Sequence, residues 1–146
     1  MNKVGDRQNA LVKDFQLFDN AMDQYEYIID LGKEMKPLAN QHKTEDNVVQ
    51  GCQSTVWLHA FLENDKVRFL ADSNTVITKG IIALLINVLD NQSPEDIINS
   101  ELFFIDQIDL RSHLSSQRSN GLNAMVKQMK MYALAFKLKQ EQAHHE

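Results

Sequence analysis

The spacing of hydrophobic residues changes twice along this 146-residue chain, and these two changes constrain the possible folds more than any other feature of the sequence. Between about Asn9 and Glu34, apolar residues recur every three or four positions, which is typical of one face of an amphipathic helix. Short runs rich in β-branched and aromatic residues then occupy 48–50, 55–62 and 66–71, with turn-like residues between them. Helical spacing returns at Thr75. The pattern predicts three short antiparallel strands between helical regions.

The apolar spacing predicts which helical faces point to the core. The first stripe can be divided into two helices at Asp19-Asn20, and Gly32 and Pro37 mark its end. The segment from Thr75 to Leu89 is apolar around its circumference, which predicts a central buried helix, capped by Asp72 or Ser73. The first stripe comprises Leu11, Phe15, Phe18, Met22, Tyr25 and Ile29.

Capping signals predict the helices of the second half. Ser93-Pro94-Glu95-Asp96 combines a cap, a proline and two acids, and predicts a short helix that ends near Ser100. Leu102–Leu110 is ambiguous, and we expect a turn that leads into a short helix. Ser115 or Ser116 can cap the last helix. Its apolar stripe is expected to be core, with methionines that fill gaps rather than bind a metal: Leu122, Met125, Met129, Tyr132 and Phe136.

Length and charge narrow the class of protein. A chain of this size typically forms one domain, so we expect a single domain over 1–146, with its core at about 9–136 and a frayed tail over 137–146. The net charge of −5 argues against nucleic-acid binding, which needs a basic face. The longest apolar stretch, Gly80–Leu89, is about half of a membrane span. The charged first twenty residues do not resemble a signal peptide, so we expect a cytoplasmic protein.

Cys52 is the single cysteine. One cysteine excludes an internal disulfide and a cysteine-rich zinc or iron–sulfur site within one chain. A redox dithiol needs a second thiol, and a cysteine hydrolase needs a base, but none of His42, His59 and His113 lies in a protease signature. The chemistry left for one sulfur is to accept a group and pass it on. A buried, inert cysteine is the alternative.

The histidines and the adjacent tail predict no metal site. We expect His42 to be solvated in a polar loop, and His59 to pack between Trp57 and Phe61 rather than to act as a ligand. The pair His144-His145, followed by Glu146, lies on a tail expected to be mobile and makes a poor metal site.

Five segments, in order, resemble the SufE-type sulfur-acceptor family, which includes the CsdE branch and is described by the Fe–S metabolism associated domain. They span roughly residues 11–131, which is nearly the whole chain. The segment around Cys52 resembles the family signature. The five segments are Tyr25–Gly32, Val49–Leu58, Ala71–Ser73 with Lys79-Gly80, Ser93–Ile97 and Arg118–Leu122.

The resemblance implies an α+β fold like that of the IscU-type scaffold, with a small three-stranded antiparallel sheet packed against several helices. It implies a sulfur acceptor that is not itself an enzyme. Such a protein takes persulfide sulfur onto Cys52 from a pyridoxal-phosphate cysteine desulfurase, stimulates that desulfurase, and passes the sulfur to an iron–sulfur scaffold. The pyridoxal phosphate belongs to the partner, so no cofactor is expected here. The expected partners are a desulfurase of the SufS or CsdA type and a scaffold of the SufBCD type, with the chain a monomer or weak homodimer.

Residues near Cys52 are expected to support it. Gly51 lets the backbone bend and leaves the thiol uncrowded. Gln53 and Ser54 can donate hydrogen bonds to sulfur or only shape the turn. Arg118 can stabilise the thiolate or persulfide, dock the partner, or form an ordinary surface pair. We also expect the free protein to hold Cys52 inward, in a loop that swings out when the desulfurase docks.

The family pattern is not matched everywhere. Ala21 stands where an aromatic is common, Asn74 where an Asp is common, and Ser116 where the last helix often begins with proline. These differences leave the choice of partner open. Two other classes of function remain open: a binding scaffold that carries no sulfur, and a cysteine hydrolase or transferase.

Overall fold

The chain forms two helices, a β-hairpin and four further helices. This computed structural model describes the backbone of residues 3–145 and the side chains of residues 3–143. The possible tail site at His144-His145-Glu146 therefore lies outside the described side chains. The elements are α1 Lys3–Gln16, α2 Ala21–Glu34, β1 Val56–Glu63, β2 Lys66–Ser73, α3 Val76–Leu89, α4 Pro94–Asn99, α5 Phe104–Gln107 and α6 Ser116–His145.

The α+β class is confirmed, but the sheet has two strands rather than three. β1 and β2 pair antiparallel from Val56 opposite Ser73 to Glu63 opposite Lys66. The expected strand at 48–50 is wrong, because Val48 makes only an isolated bridge to Trp57. The N–H of Val49 donates to the carbonyl of Val56, and the chain then turns away at Gly51. Two residues are too few for a regular strand.

The first helical stripe is divided at the predicted turn. Asn20 caps α2 by accepting a hydrogen bond from the N–H of Asp23 at 2.9 Å. The division rotates the buried face of α2 away from the predicted stripe, so Ile28 is fully buried while Met22 is 72% exposed. α2 ends at Glu34, where the sequence predicts the end of this helical region, and Gly32 in its last turn packs against Gly80 of α3.

α3 is the central helix, as predicted. It contacts α1, α2, β2 and α6, and most of its side chains are buried. Its predicted caps are wrong, because Asp72 and Ser73 are the last residues of β2 and Thr75 precedes the first turn. Asp72 is buried, and its carboxylate pairs with Lys43 and Lys79 instead.

The helices of the second half begin where their caps predict. Ser93 accepts a hydrogen bond from the N–H of Asp96, and Ser115 accepts one from the N–H of Arg118. The ambiguous segment 102–110 forms α5 and leads into a 3₁₀ turn at Leu110–His113. α6 is helical as far as His145, through the segment expected to fray. Its fraying in solution stays a prediction.

The core is one continuous cluster that includes Met125 and Met129 of α6, which confirms these methionines as core residues. Across residues 3–145, no helix is both long and apolar enough to cross a membrane.

Candidate functional site

The loop that carries Cys52 joins Val49 to β1 and lies against α6. Gly51 has a φ of +95°, a left-handed conformation that favours glycine. A Cβ at Gly51 would stand 3.3 Å from the Cβ of Ala124 on α6. Glycine at this position therefore serves both the turn and the close approach of the loop to α6, which fits the bend predicted for it.

Hydroxyl groups tie the end of this loop to the start of α3. Ser54 Oγ accepts hydrogen bonds from the hydroxyls of Thr75 at 3.1 Å and Thr78 at 3.4 Å. The N–H of Thr55 donates to the side chain of Asn74 at 3.1 Å. Ser54 therefore shapes the turn by accepting from Thr75, which precedes α3, and from Thr78 of α3.

Cys52 lies at a small cavity between the loop, α3 and α6. Its side chain is half-buried, and its S–H donates to the carbonyl of Gly121 at 3.6 Å. The cavity measures about 10 Å³, which is room for about one water-sized group. Its lining includes three predicted residues and five others: Gln53, Ser54 and Arg118, with Thr78, Ile81, Gln117, Gly121 and Met125.

Burial raises the pKa of the Cys52 thiol. The thiol is therefore mostly protonated near neutral pH and is a weak nucleophile while it faces the cavity. Arg118 lines the same cavity from α6. Within residues 3–143, its guanidinium forms no hydrogen bond or ion pair, so it is not engaged as an ordinary surface pair.

The histidines lie elsewhere. His42 is not a free solvated side chain, because its ring stacks on that of His59 at 4.0 Å. His59 also packs on Phe61 at 5.9 Å, as a packed histidine was expected to do, and its pKa is lowered by burial and by the nearby His42. His113 bonds to Gln24. None of these three histidines lines the Cys52 cavity, so a cysteine hydrolase would find no histidine base there.

No group of three or more histidine, cysteine or acidic side chains within the described part of the chain is arranged to hold a metal ion.

The structure brings Cys52, Gln53, Ser54 and Arg118 to one cavity, with Gly51 at the adjacent rim.

Sequence reasoning missed the cavity's other walls. Gly121 was part of the Arg118–Leu122 match, but nothing in the pattern indicated that its carbonyl would meet the sulfur. Thr78 and Ile81 lie three positions apart on α3, the spacing of one helix face. That spacing could have grouped them with each other but not with Cys52.

Comparisons with known proteins agree on one family. Residues 9–133 match the family model described as "SufE: Fe-S metabolism associated domain". The chain is 38% identical over 133 residues to SufE-like protein 1, chloroplastic/mitochondrial, of Arabidopsis thaliana, covering 90% of this chain and 36% of that protein. It is 35% identical to an uncharacterized SufE-like protein of Synechocystis, covering 89% of this chain and 82% of that protein.

A solved structure shares the fold. A hypothetical protein from Thermus thermophilus, determined in solution, superimposes with a TM-score of 0.76 at 19% identity. The match covers 90% of this chain and 96% of that one. At this identity the likeness concerns the fold alone.

Proposed function

Because the chain belongs to the SufE family of iron–sulfur metabolism proteins, we propose that it is a sulfur acceptor for a cysteine desulfurase. Cys52 receives the sulfur as a persulfide and passes it to an iron–sulfur cluster scaffold. The protein stimulates the desulfurase by removing its sulfur product and is not itself an enzyme.

The observation that supports this proposal is the setting of the single thiol. Cys52 lies on a loop, at a cavity with room for about one more atom-sized group beside its sulfur. A persulfide adds one sulfur atom, which fits that room. With no second cysteine in the chain, the persulfide cannot collapse to an internal disulfide, so it lasts until an outside thiol attacks it.

The transfer is a thiol exchange. The Cys52 thiolate attacks the outer sulfur of the donor persulfide, and a new S–S bond forms as the donor S–S bond breaks. The electron pair of the broken bond leaves with the desulfurase cysteine as its thiolate. The outer sulfur keeps its oxidation level, so the exchange needs no oxidant or reductant.

The inward thiol must be exposed before it can react. Half-burial and the raised pKa both slow its attack, since the rate depends on thiolate fraction and access. Docking of the desulfurase therefore has to swing the loop outward. Arg118 has no other anionic partner among the described residues and would stabilise the thiolate or persulfide, while the exposed Gln53 lies at the rim for partner contact.

The reaction is tested by mass spectrometry of the intact protein after incubation with a cysteine desulfurase and cysteine. We expect a gain of one sulfur atom on wild-type chain and none on Cys52→Ser. The Cys52→Ser variant should keep its fold and lose stimulation of the desulfurase. Stimulation that survives this change would reject the acceptor role. A wild-type chain that gains no sulfur in the incubation would favour a binding scaffold.

The loop movement is tested by hydrogen exchange of residues 49–55. We expect faster exchange there when the desulfurase is bound. Unchanged exchange would count against an outward swing while leaving the mass measurement to decide the acceptor role.

The partner types are part of the proposal. The desulfurase is of the SufS or CsdA type and carries the pyridoxal phosphate, and the scaffold is of the SufBCD type. The absence of a cofactor on this chain stays a prediction. A cytoplasmic location also stays a prediction, since relatives include a chloroplastic/mitochondrial protein.

A further inference from the structure

A surface groove lies on the side of α6 that faces away from the Cys52 cavity. Val126, Lys127 and Lys130 line the groove, whereas Gly121 and Met125 line the cavity. With 3.6 residues per turn, the two sets project to nearly opposite sides of the helix. The groove measures about 550 Å³. It is called the α6 groove and is formed by segment 100–106, Arg111 and the α6 residues Asn123, Val126, Lys127 and Lys130.

Apolar side chains with exposed surface line the α6 groove. Leu102, Phe103 and Val126 are each partly exposed, and Phe103 does not belong to the core cluster. Phe103 also lines a second hollow of about 480 Å³, which extends towards Gly5 of α1. Two adjoining hollows that share one aromatic side chain fit an elongated ligand better than a small molecule. Aromatic side chains are common anchors of protein interfaces.

The α6 groove carries charges of both signs. Arg111 and Lys127 are exposed and Lys130 is partly exposed, and all three are basic. Glu101 and Asp106, on the segment opposite α6, are exposed and acidic. No ion pair formed among residues 3–143 includes any of these five side chains. Both the basic side and the acidic side can therefore pair with charges of a ligand.

Two hydrogen bonds hold the basic side chains in place. Arg111 Nη2 donates to Asn123 Oδ1 at 2.6 Å, and Lys130 Nζ donates to the carbonyl of Ser100 at 2.7 Å. Both acceptors are neutral, so the cations are positioned without losing their charge. Asn123 and Lys130 are seven residues apart on α6, a rise of about 10 Å, so the groove follows about two turns of this helix.

We propose that the α6 groove binds an amphipathic α-helix of another protein, one whose apolar stripe lies between a flank of carboxylates and a flank of lysines or arginines. The stripe covers Phe103, the carboxylates meet the cations of α6 and Arg111, and the basic flank meets Glu101 and Asp106. None of the residues that line the groove belongs to β1 or β2, so the groove offers no strand edge for an extended peptide. The ligand must satisfy its own backbone hydrogen bonds, as an α-helix does.

This surface is separate from the sulfur site. The Cys52 loop lies against the other side of α6, so a helix bound in the α6 groove leaves that loop accessible. A second protein can therefore bind while a desulfurase meets Cys52. The inference does not depend on the proposed sulfur transfer.

Binding is measured by fluorescence anisotropy with the full chain and a labelled helical peptide of about five turns. The peptide carries leucines at every third or fourth position, glutamates on one flank and lysines on the other. We expect saturable binding with a dissociation constant below about 1 mM, as for a small, transient contact. A peptide of the same composition, with the charges mixed on both flanks, should bind at least about fivefold more weakly. Failure of both peptides to bind at about 1 mM, or equal binding of the two, would overturn the proposal.

Variants of the chain locate the peptide. Phe103→Ala should weaken binding at least about tenfold and Lys127→Glu about fivefold. Lys139→Glu, an exposed charge on the same helix outside the groove, is the matched control and should bind as wild type does. Phe103 and Lys127 lie outside the core cluster, so urea unfolding of both variants should match wild type. Unchanged binding in both variants would place the peptide elsewhere and refute the groove.

A compensating peptide tests the charge contact directly. A peptide with lysines on both flanks should bind Lys127→Glu more tightly than it binds wild type, since it meets a carboxylate there. The reverse order would contradict the proposed orientation of charges. Dimerisation of the chain alone that Phe103→Ala abolishes would assign the groove to a second copy and would also overturn the proposal.

Discussion

Replacing Gly121 by alanine adds one methyl group, which should raise the stability of the fold and shorten the lifetime of the Cys52 persulfide. The carbonyl of Gly121 accepts from the Cys52 thiol, and a Cβ built on Gly121 would lie 3.5 Å from that sulfur. The contacts with the Cα and Cβ of Cys52 would be 3.8 Å. These are ordinary van der Waals distances, so the inward loop can accept Gly121→Ala without moving.

The substitution should stabilise the free protein. Gly121 is inside α6, where alanine is favoured over glycine by about 0.8–1 kcal/mol. We therefore expect the free energy of unfolding to rise by up to about 1 kcal/mol, and Tm to rise by about 2–5 °C. Gly5→Ala in α1 is the matched control, because a Cβ there meets nothing within 4 Å.

The same methyl group should expose the persulfide. It occupies part of a cavity of about 10 Å³, and the outer sulfur, about 2.05 Å from Sγ, needs that room to point inward. Burying an apolar group of about one methylene contributes about 0.8 kcal/mol, which is about fourfold in the balance between inward and outward forms. We expect the persulfide of Gly121→Ala to be lost to alkylation at least about fourfold faster.

The assay loads each protein with a desulfurase and cysteine, removes the donor, and adds iodoacetamide for timed intervals before mass spectrometry. The amount of sulfur loaded onto Gly121→Ala should match that on wild type, because the donor reacts with Cys52 while the loop is swung outward. Equal persulfide lifetimes in wild type, Gly121→Ala and Gly5→Ala would refute sheltering by the cavity. A fall in the stability of Gly121→Ala would show that the loop packs more tightly on α6 than these distances indicate.

Three further measurements follow from other contacts. A Cβ at Gly80 would overlap the carbonyl of Ile28 on α2, so Gly80→Ala should force the helices apart and lower the free energy of unfolding in urea by about 1–3 kcal/mol or more. Burial raises the pKa of Asp72, but hydrogen bonds from backbone N–H groups and lysine charges outweigh burial and hold that pKa below its usual value. The carboxylate therefore stabilises the fold above about pH 4 and loses this contribution as the pH falls through the lowered pKa. Asp72→Asn should cost about 1–3 kcal/mol in urea unfolding at pH 7, and the difference from wild type should shrink below about pH 4; a constant difference would contradict this account. Because burial raises the pKa of Cys52, its alkylation in the free protein should still accelerate above about pH 8.5, and a plateau below that pH would show an exposed or activated thiol.

Sequence patterns predicted correctly those elements whose structure depends on neighbouring residues. Ser93 and Ser115 cap the helices that they were expected to begin, because each cap bonds to an N–H three residues ahead. The hairpin β1–β2 also follows from its own alternating residues and a two-residue turn at Asn64-Asp65, both with positive φ.

Errors arose where the cause lies in distant residues. A strand at Val48 needs a partner edge and enough length, and the loop to α6 ends it after one bridge. Asp72 has the composition of a helix cap, but its backbone pairs with Trp57 in the hairpin and its carboxylate pairs with Lys43 and Lys79. Gly32 marks the end of α2 as predicted, but its second role, in the close crossing of α2 and α3, depends on Gly80 and is not visible in the local pattern.

The amino-acid order alone determines the family and the candidate sulfur acceptor. Cys52 is the only thiol in the chain and residues 9–133 match the family model, because both properties are contained in residue types and their spacing. The state of that thiol is decided by tertiary structure. Burial, the carbonyl of Gly121 and the small cavity come from α3 and α6, which reach Cys52 only when the chain is folded. Packing between distant segments sets the dielectric, access and room around an atom, and no local pattern specifies these properties.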